Sequence, residues 1–240
     1  MATVGSGLRP NDGRGRSFWF RNTVQASLNA ILHALPYLML AARWTIALSL
    51  GGMAIGVALG AFICAARISK SAALSTFGAL YVSFFRGVPL LVQLIAFFFF
   101  LPHIGIDLPA PAAAILSIGM CSAAYAAEIL RGALQAIPHG QREAADVLGI
   151  PPPALWRRIL MPQALRIAMP SLVSELILLV KVSSLASVVG IGEVTRMAQN
   201  INGQTYRPLE TFVTAAAVYL AINLVLASLG RFAERRLAVA

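Results

Sequence analysis

Long apolar runs constrain the fold of this chain more than any other feature. A helix needs about 20 apolar residues to cross the hydrocarbon of a bilayer. Five stretches meet that requirement, at residues 38–66, 77–101, 111–130, 170–190 and 209–229. Lipid cannot satisfy backbone polar groups, and the runs are continuous rather than alternating, so helices are favoured over β-barrel strands. The sequence therefore predicts an all-α membrane protein with about five transmembrane helices.

Composition and charge exclude several classes of protein. Of the 240 residues, 58% are apolar and 12% are charged, whereas a soluble domain carries about 25% charged residues. The net charge is +10, but the arginines lie between apolar runs instead of along one solvated face, so no nucleic-acid partner is predicted. Cys64 and Cys121 lie inside apolar runs, and the histidines lack ligand-like spacing. We therefore expect neither a disulfide nor a metal site.

The N-terminal region differs in character from the five runs. Residues 18–35 form a shorter segment that is interrupted by polar side chains. This pattern is typical of an amphipathic helix that lies at the membrane interface. The Gly- and Arg-rich residues 1–17 are predicted to be disordered. Residues 36–236 then form the transmembrane domain, with a long polar loop at 131–169.

The distribution of basic residues predicts how the chain is oriented. Lysine and arginine in short loops mark the cytoplasmic side of a membrane. Three basic regions lie on one side of the membrane in a five-span arrangement: the loop with Arg67 and Lys70, the segment 131–166 and the tail 231–236. We therefore predict a cytoplasmic C-terminus and an extracytoplasmic N-terminus. The arginines of the N-terminal tail favour the opposite side, and the tail would be cytoplasmic if residues 18–35 spanned the membrane.

The loop between the third and fourth runs has clear helix signals. Pro138 suits the first turn of a helix, and Gly149 can end that helix in the left-handed conformation before three prolines. Ala144 and Ala145 would give the helix a smooth patch that a partner can approach closely. A second helix is predicted at 154–160.

Charged and proline residues complete the prediction for this loop. Glu143 and Asp146 are three residues apart on the first helix and suit a basic rim in a partner. Pro162 follows the second helix and is predicted to turn the chain toward the fourth span.

These loop residues carry a family resemblance. The order Glu143-Ala144-Ala145, Gly149, then Ile159-Leu160-Met161-Pro162 resembles the "EAA" loop of ABC-importer membrane subunits. Residues 85–93 and 181–185 are similar to signatures of the polar amino acid uptake branch, whose permeases resemble those for histidine, glutamine and arginine. The chain departs from the branch pattern at Val88 and Met161, and Val88 lacks the hydroxyl of the usual threonine.

The resemblance implies a fold, partners and a role. It implies an ABC type I importer-like permease in a bacterial inner membrane, working as a dimer with a second copy or a paralogue. An extracytoplasmic solute-binding protein would deliver a polar or charged amino acid, or a related solute such as an opine. A cytoplasmic ABC ATPase would dock on the EAA-like loop at 131–169. The docking residues implied are Glu143, Ala144, Ala145, Asp146, Gly149 and Pro162.

The resemblance also implies that this chain is not an enzyme. It lacks a Gly-x-x-x-x-Gly-Lys-Ser/Thr phosphate-binding loop. Accordingly we predict no catalytic residue and no cofactor bound by this chain, while ATP and Mg are used by the partner ATPase. Closure of the ATPase would draw the loops together and switch the access of the bundle from one side to the other.

Charges within the runs are candidates for the substrate path. A charge at the centre of a bilayer costs about 2.5–3.5 kcal/mol, so Arg86, Glu175 and Lys181 should face protein or water. They could recognise the charged ends of an amino acid, with Arg86 as the carboxylate partner. Alternatively, they pair with each other or with backbone carbonyls, such as the carbonyl freed by Pro89.

Two local spacings predict packing contacts. Glu128 and Arg131 are spaced for an ion pair within one helix. Gly52, Gly56 and Gly60 share one face of the first span, where they would let another helix approach closely.

Two other functions remain open at this stage. A self-contained secondary transporter or channel would need a complete path in one chain, and such proteins often have an inverted repeat; no repeat is evident. A membrane-bound enzyme would need a convergent catalytic set, and none is evident. A neighbouring coding region for an ATPase and a solute-binding protein would favour the importer.

Overall fold

The chain forms a bundle of α-helices in a computed structural model that describes the backbone of residues 13–239 and the side chains of residues 25–236. Four helical stretches are long and apolar enough to cross a membrane, and one bent helix pair makes a fifth candidate. No strand occurs within the described residues. The predicted all-α fold with about five transmembrane helices is confirmed.

The first span is part of one long helix, α1 (Gly13–Arg67). The boundary predicted near residue 35 is absent, because Pro36 lies inside α1 without ending it. Residues 18–35 thus continue directly into the span instead of forming a separate interfacial helix. The sequence predicts a disordered tail at residues 1–17. Residues 1–12 of this tail lie outside the described residues, and residues 13–17 belong to α1.

Contacts with the C-terminal part of the chain explain why the polar start of α1 continues as a helix. The Ser27 hydroxyl donates a hydrogen bond to Glu210 Oε1 over 2.9 Å. The Arg207 guanidinium donates to the Ala26 carbonyl, also over 2.9 Å. The sequence pattern places residues 18–35 at a lipid interface, but the Ser27 hydroxyl and the Ala26 carbonyl in this segment have hydrogen-bond partners within the protein.

Helix α4 (Ala110–Gln135) packs closely against α1 through glycines. A Cβ atom added at Gly52 would lie 2.5 Å from Ile118, and one added at Gly60 would lie 2.7 Å from Ala126. In the other direction, a Cβ atom at Gly119 would lie 2.7 Å from Ile55. The predicted close approach of a second helix to this face is confirmed.

The second predicted span is broken. Helix α2 (Ala72–Gly87) is followed by α3 (Leu90–Ile95), and the stretch Leu90–Ile104 that begins with α3 is bent by 100° from α2. A π-helical turn at Ala96–Phe100 and a 3₁₀ turn at Leu101–Ile104 extend α3. The bend falls at Pro89, which cannot donate the backbone hydrogen bond that a continuous helix requires.

The polar loop and the fourth span follow α4. The loop contains α5 (Gly140–Val147). One helical stretch of 38 residues follows α5. It consists of α6 (Pro152–Leu155), a π-helical turn (Trp156–Leu160), α7 (Met161–Val182) and a 3₁₀ helix (Ser183–Val189). The turn predicted at Pro162 is wrong, because Pro162 lies in the first turn of α7, where its missing N–H is tolerated.

Two further helices complete the bundle, α8 (Val194–Thr205) and α9 (Pro208–Val239). The fully buried Glu193 caps α8 by accepting hydrogen bonds from the backbone N–H groups of Thr195 (2.9 Å) and Arg196 (2.7 Å). The Tyr219 hydroxyl donates to the same carboxylate over 2.7 Å. Burial raises the pKa of Glu193, and these donors oppose that shift.

We predict that Gly60→Ala destabilises the folded chain by about 1–3 kcal/mol, because the new methyl group would push α1 away from α4. Gly132→Ala on α4 is the matched control, since no atom lies within 4 Å of the added Cβ. The control should be neutral or stabilising by up to about 1 kcal/mol. Thermal unfolding of both purified variants checks this, and equal midpoints would contradict the close packing.

Candidate coupling loop and intramembrane cavity

The end of α5 has the geometry that the sequence predicts. Gly149 adopts a left-handed conformation with φ of +68°. Its N–H donates to the Asp146 carbonyl (3.1 Å), and the Ile150 N–H donates to the Ala145 carbonyl (2.9 Å). This pair of hydrogen bonds is the Schellman motif, which satisfies the last carbonyls of a helix. A residue with a side chain would be strained at this position.

One face of α5 is anchored and the other is open. Ala145 is 2% exposed and belongs to the buried apolar cluster that also contains Ile137, Leu155 and Leu160. Of the smooth patch predicted at Ala144 and Ala145, only Ala144 is exposed, because Ala145 points into the protein; the approach of a partner at Ala144 stays a prediction.

The open face of α5 combines charge with apolar surface. Glu143, Ala144 and Asp146 are exposed, and so are Val147 (88%) and Leu148 (74%). Sequence reasoning missed the last two residues. Their signal was an adjacent apolar pair at the end of a short polar helix.

Side-chain contacts brace α5 against the start of the fourth span. The amides of Gln141 and Gln163 exchange two hydrogen bonds, of 2.9 and 2.7 Å. The Arg142 guanidinium lies 5.8 Å from the centre of the Trp156 ring. Gln163 directly follows Pro162, so the predicted docking residue Pro162 lies next to the brace rather than on the open face of α5.

An intramembrane cavity of about 280 Å³ brings two of the predicted charges together. Arg86 and Glu175 both line it, beside the break between α2 and α3. The Arg86 guanidinium lies over the Tyr125 ring, 5.1 Å from its centre, while Glu175 is buried. Lys181 is exposed and does not line this cavity.

A glutamine stabilises the helix break at this cavity. Gln93 Nε2 donates to the Phe85 carbonyl (3.0 Å) and to the Val88 carbonyl (2.8 Å). The Phe85 carbonyl is the one that Pro89 leaves without a helical donor. A cation at this carbonyl was one of the two alternatives left open by the sequence; the Gln93 amide occupies it, and Arg86 lines the cavity instead. Sequence reasoning missed this role, although Gln93 lies four residues after Pro89.

The charges at the end of α4 form a structural group. Arg131 Nε lies 3.1 Å from Glu128 Oε2, which confirms the predicted pair. Arg67 at the end of α1 joins it, with Nε 3.3 Å from Glu128 Oε1. This group ties the end of α1 to the end of α4, so Glu128 has no need of a substrate role.

Metal ligands do not cluster in the part of the chain that the structure describes. No three His, Cys, Asp or Glu side chains lie close enough together to hold a metal ion there.

The fold defines a multi-pass membrane component with four or five candidate spans. Residues 56–239 match the family described as "Binding-protein-dependent transport system inner membrane component". The chain belongs to this family, which confirms the resemblance inferred from its motifs.

Known relatives agree with this family. The chain is 37% identical over 207 residues to the probable amino-acid ABC transporter permease protein YckA of Bacillus subtilis (strain 168), covering 86% of this chain and 92% of YckA. It is 34% identical over 210 residues to the arginine transport system permease protein ArtQ of the same organism, covering 87% and 96%. The chain also superposes on one chain of a crystal structure of an amino acid ABC transporter with histidines, with a TM-score of 0.78 and 34% sequence identity. The superposition covers 84% of the present chain and 94% of the other chain.

We predict that Gln93→Met destabilises the protein, because a side chain of similar size removes the amide donor from the partly buried Val88 carbonyl and leaves the Phe85 carbonyl only the weak Cys121 thiol donor at 3.6 Å. Each unsatisfied buried group costs about 1–3 kcal/mol. Gln199→Met, on the exposed surface of α8, is the control and should have little effect. Denaturation of both variants in the same detergent checks this, and matching stabilities would show that Gln93 does not support the break.

Proposed function

We propose that this chain is the membrane-spanning permease subunit of an ATP-driven importer for a polar or charged amino acid. The observation that carries the proposal is α5, a short helix that is fixed to the bundle on one side by Ala145. On its other side it presents Glu143, Asp146, Val147 and Leu148 to solvent. Exposed apolar residues flanked by charges are typical of a protein-docking surface. The family membership and the names of the relatives support an importer.

The partners follow from this role. An ABC ATPase subunit docks on the open face of α5, and ATP and Mg are bound and used by that subunit, so the present chain performs no catalysis. A second permease copy or a paralogue completes the path across the membrane. A solute-binding protein delivers the amino acid from the opposite side.

Coupling runs from α5 to the cavity through rigid helices. The Gln141–Gln163 pair ties α5 to α7, which carries Glu175. The core around Ala145 ties α5 to the end of α4, the helix that carries Tyr125. A displacement of α5 by the ATPase is therefore passed to both walls of the cavity, and opening alternates between the two sides.

The cavity suits the two charged ends of an amino acid. Arg86 binds the carboxylate, since a guanidinium matches a carboxylate with two parallel hydrogen bonds. Glu175 accepts from the amino group or from a basic side chain. Lys181 lies outside the cavity in this conformation, so we leave it out of the proposed path.

Orientation follows from the two ends of the bundle. The Arg67–Glu128–Arg131 group and the loop with α5 lie at one end, while the Ser27–Glu210 contact at the start of α1 lies at the other. We assign the α5 end to the cytoplasm of a bacterium whose inner membrane the chain spans. The start of α1 is then extracytoplasmic, and α9 ends on the cytoplasmic side.

Uptake of labelled amino acids into vesicles tests the proposal. Vesicles that hold this chain, its cognate ATPase and its binding protein should accumulate one amino acid only when ATP is supplied. Equal uptake without the ATPase would contradict the proposal and indicate a self-contained secondary transporter.

We predict that Gly149→Asp uncouples transport, because aspartate is strained at a φ of +68° and adds charge beside the docking face. Gly140→Asp is the matched control. It adds the same charge to the first turn of α5, where an acid is favourable and φ is not positive. The first variant should lose ATP-dependent uptake and release the ATPase on purification, while the control should keep both. Normal uptake and full ATPase retention by Gly149→Asp would rule out docking at this loop.

We predict that Arg86→Ala reduces uptake while the complex stays assembled. Loss of a hydrogen bond to a charged group costs about 1.5–3 kcal/mol, equivalent to about ten- to a hundredfold weaker binding. Lys181→Ala removes another intramembrane cation, one that does not line the cavity, and should keep most of the uptake. Similar behaviour of the two variants would contradict the assignment of Arg86 to the path.

A further inference from the structure

Two adjoining cavities lie outside the proposed substrate path, where α1 and α4 end beside the loop. The first has a volume of about 630 Å³ and is lined by Arg67, Arg131, His139 and Arg142. The second is an apolar groove of about 450 Å³ between α1, the end of α4 and the start of α7. Ile68, Leu134 and Trp156 line both. The two cavities therefore adjoin, and together they offer a cationic part next to an apolar part.

The cationic part carries excess positive charge. Arg67 and Arg131 share a single carboxylate, that of Glu128, which leaves one charge of the three uncompensated. Arg142 adds another, and its described contact is with the Trp156 ring. No acidic residue lines this cavity among the described residues. An anion that entered it would meet guanidinium donors from three different helices.

The apolar part has the size of a lipid chain. Along α1 it extends from Val57 to Ile68, about 16 Å at 1.5 Å per residue. Half the hydrocarbon thickness of a bilayer is about 15 Å. Small residues, Ala61 and Ala65, leave the groove open, and both are exposed on the surface of the bundle. The groove is therefore about as long as one leaflet is thick, and it is open on the outer surface of the bundle.

We propose that this site binds one anionic phospholipid of the leaflet on the α5 side. The phosphate lies among the arginines, and one acyl chain lies in the groove. Basic pockets between transmembrane helices are suited to anionic headgroups, and tryptophan is favoured at headgroup level. A soluble anion would use only the cationic cavity, whereas the adjacency of the two parts matches a molecule with both a phosphate and an acyl chain. Assignment of this leaflet to the cytoplasm rests on the proposed orientation.

Native mass spectrometry of the purified transporter tests this site. The complex with its ATPase is titrated in detergent with phosphatidylglycerol, with phosphatidylcholine or with inorganic phosphate. We expect one tightly bound phosphatidylglycerol for each copy of this chain, retained in the presence of excess inorganic phosphate. Equal retention of phosphatidylcholine, or displacement by inorganic phosphate, would overturn the proposal.

Paired variants locate the lipid. Arg142→Gln should weaken phosphatidylglycerol binding about fivefold, since one basic residue near an anionic surface contributes about 1 kcal/mol. Arg158→Gln removes an exposed arginine that does not line the cavity and should leave binding unchanged. Ala65→Phe fills the groove and should also weaken binding, whereas Ala216→Phe, at an exposed position of α9 that does not line the groove, should not.

The variants also separate the lipid from a protein occupant. If Arg142→Gln releases the ATPase while phosphatidylglycerol binding is kept, the cavity belongs to the ATPase interface and the proposal is wrong. If neither Arg142→Gln nor Ala65→Phe weakens the lipid more than its control does, the lipid binds elsewhere and the proposal is equally wrong.

Discussion

The close contact between α1 and α4 is the interaction on which the rest of the structure depends. Glycines at 52, 56 and 60 let the two backbones approach, and the Arg67–Glu128–Arg131 group fixes their ends. Because lipid provides little hydrophobic drive between helices, small residues and buried polar contacts must supply this stability. Helix α4 then acts as the central support. It contacts α2, α3 and α7, carries Tyr125 at the cavity, and leads into the loop that holds α5.

Helix breaks mark the places where function is proposed. A backbone inside a membrane must satisfy its polar groups internally, so each irregularity needs a partner within the protein. At the α2–α3 bend, the Gln93 amide fills this role, and the break leaves room for the cavity of Arg86 and Glu175. At the π-helical turn Trp156–Leu160, the chain passes from the loop into α7, and the Gln141–Gln163 pair holds α5 there. A bundle with continuous helices would have neither feature.

Features set by local sequence were predictable, whereas those set by distant contacts were not. The left-handed Gly149 and the Glu128–Arg131 pair depend on residues within one or two turns, so their spacing was sufficient. The continuity of α1 was not predictable, because the partner of Ser27 is Glu210, which lies 183 residues away. The burial of Ala145 was not predictable either, because its apolar cluster includes residues from outside α5, such as Leu155 and Leu160. Similarly, the sequence presents Lys181 and Arg86 as two equivalent intramembrane cations. Only the packing of the helices shows that Arg86 lines the cavity and that Lys181 does not.

If ATP-driven motion enters the permease at the open face of α5, a cross-link from this face should reach the ATPase. The variant Val147→Cys, with Cys64 and Cys121 replaced, is assembled with the ATPase and treated with a short bifunctional reagent. We expect an efficient cross-link whose yield changes when ATP is added. The comparison is Lys70→Cys, at an exposed position that follows α1 and lies outside α5. Efficient cross-linking from Lys70→Cys and none from Val147→Cys would show that the ATPase does not dock on α5.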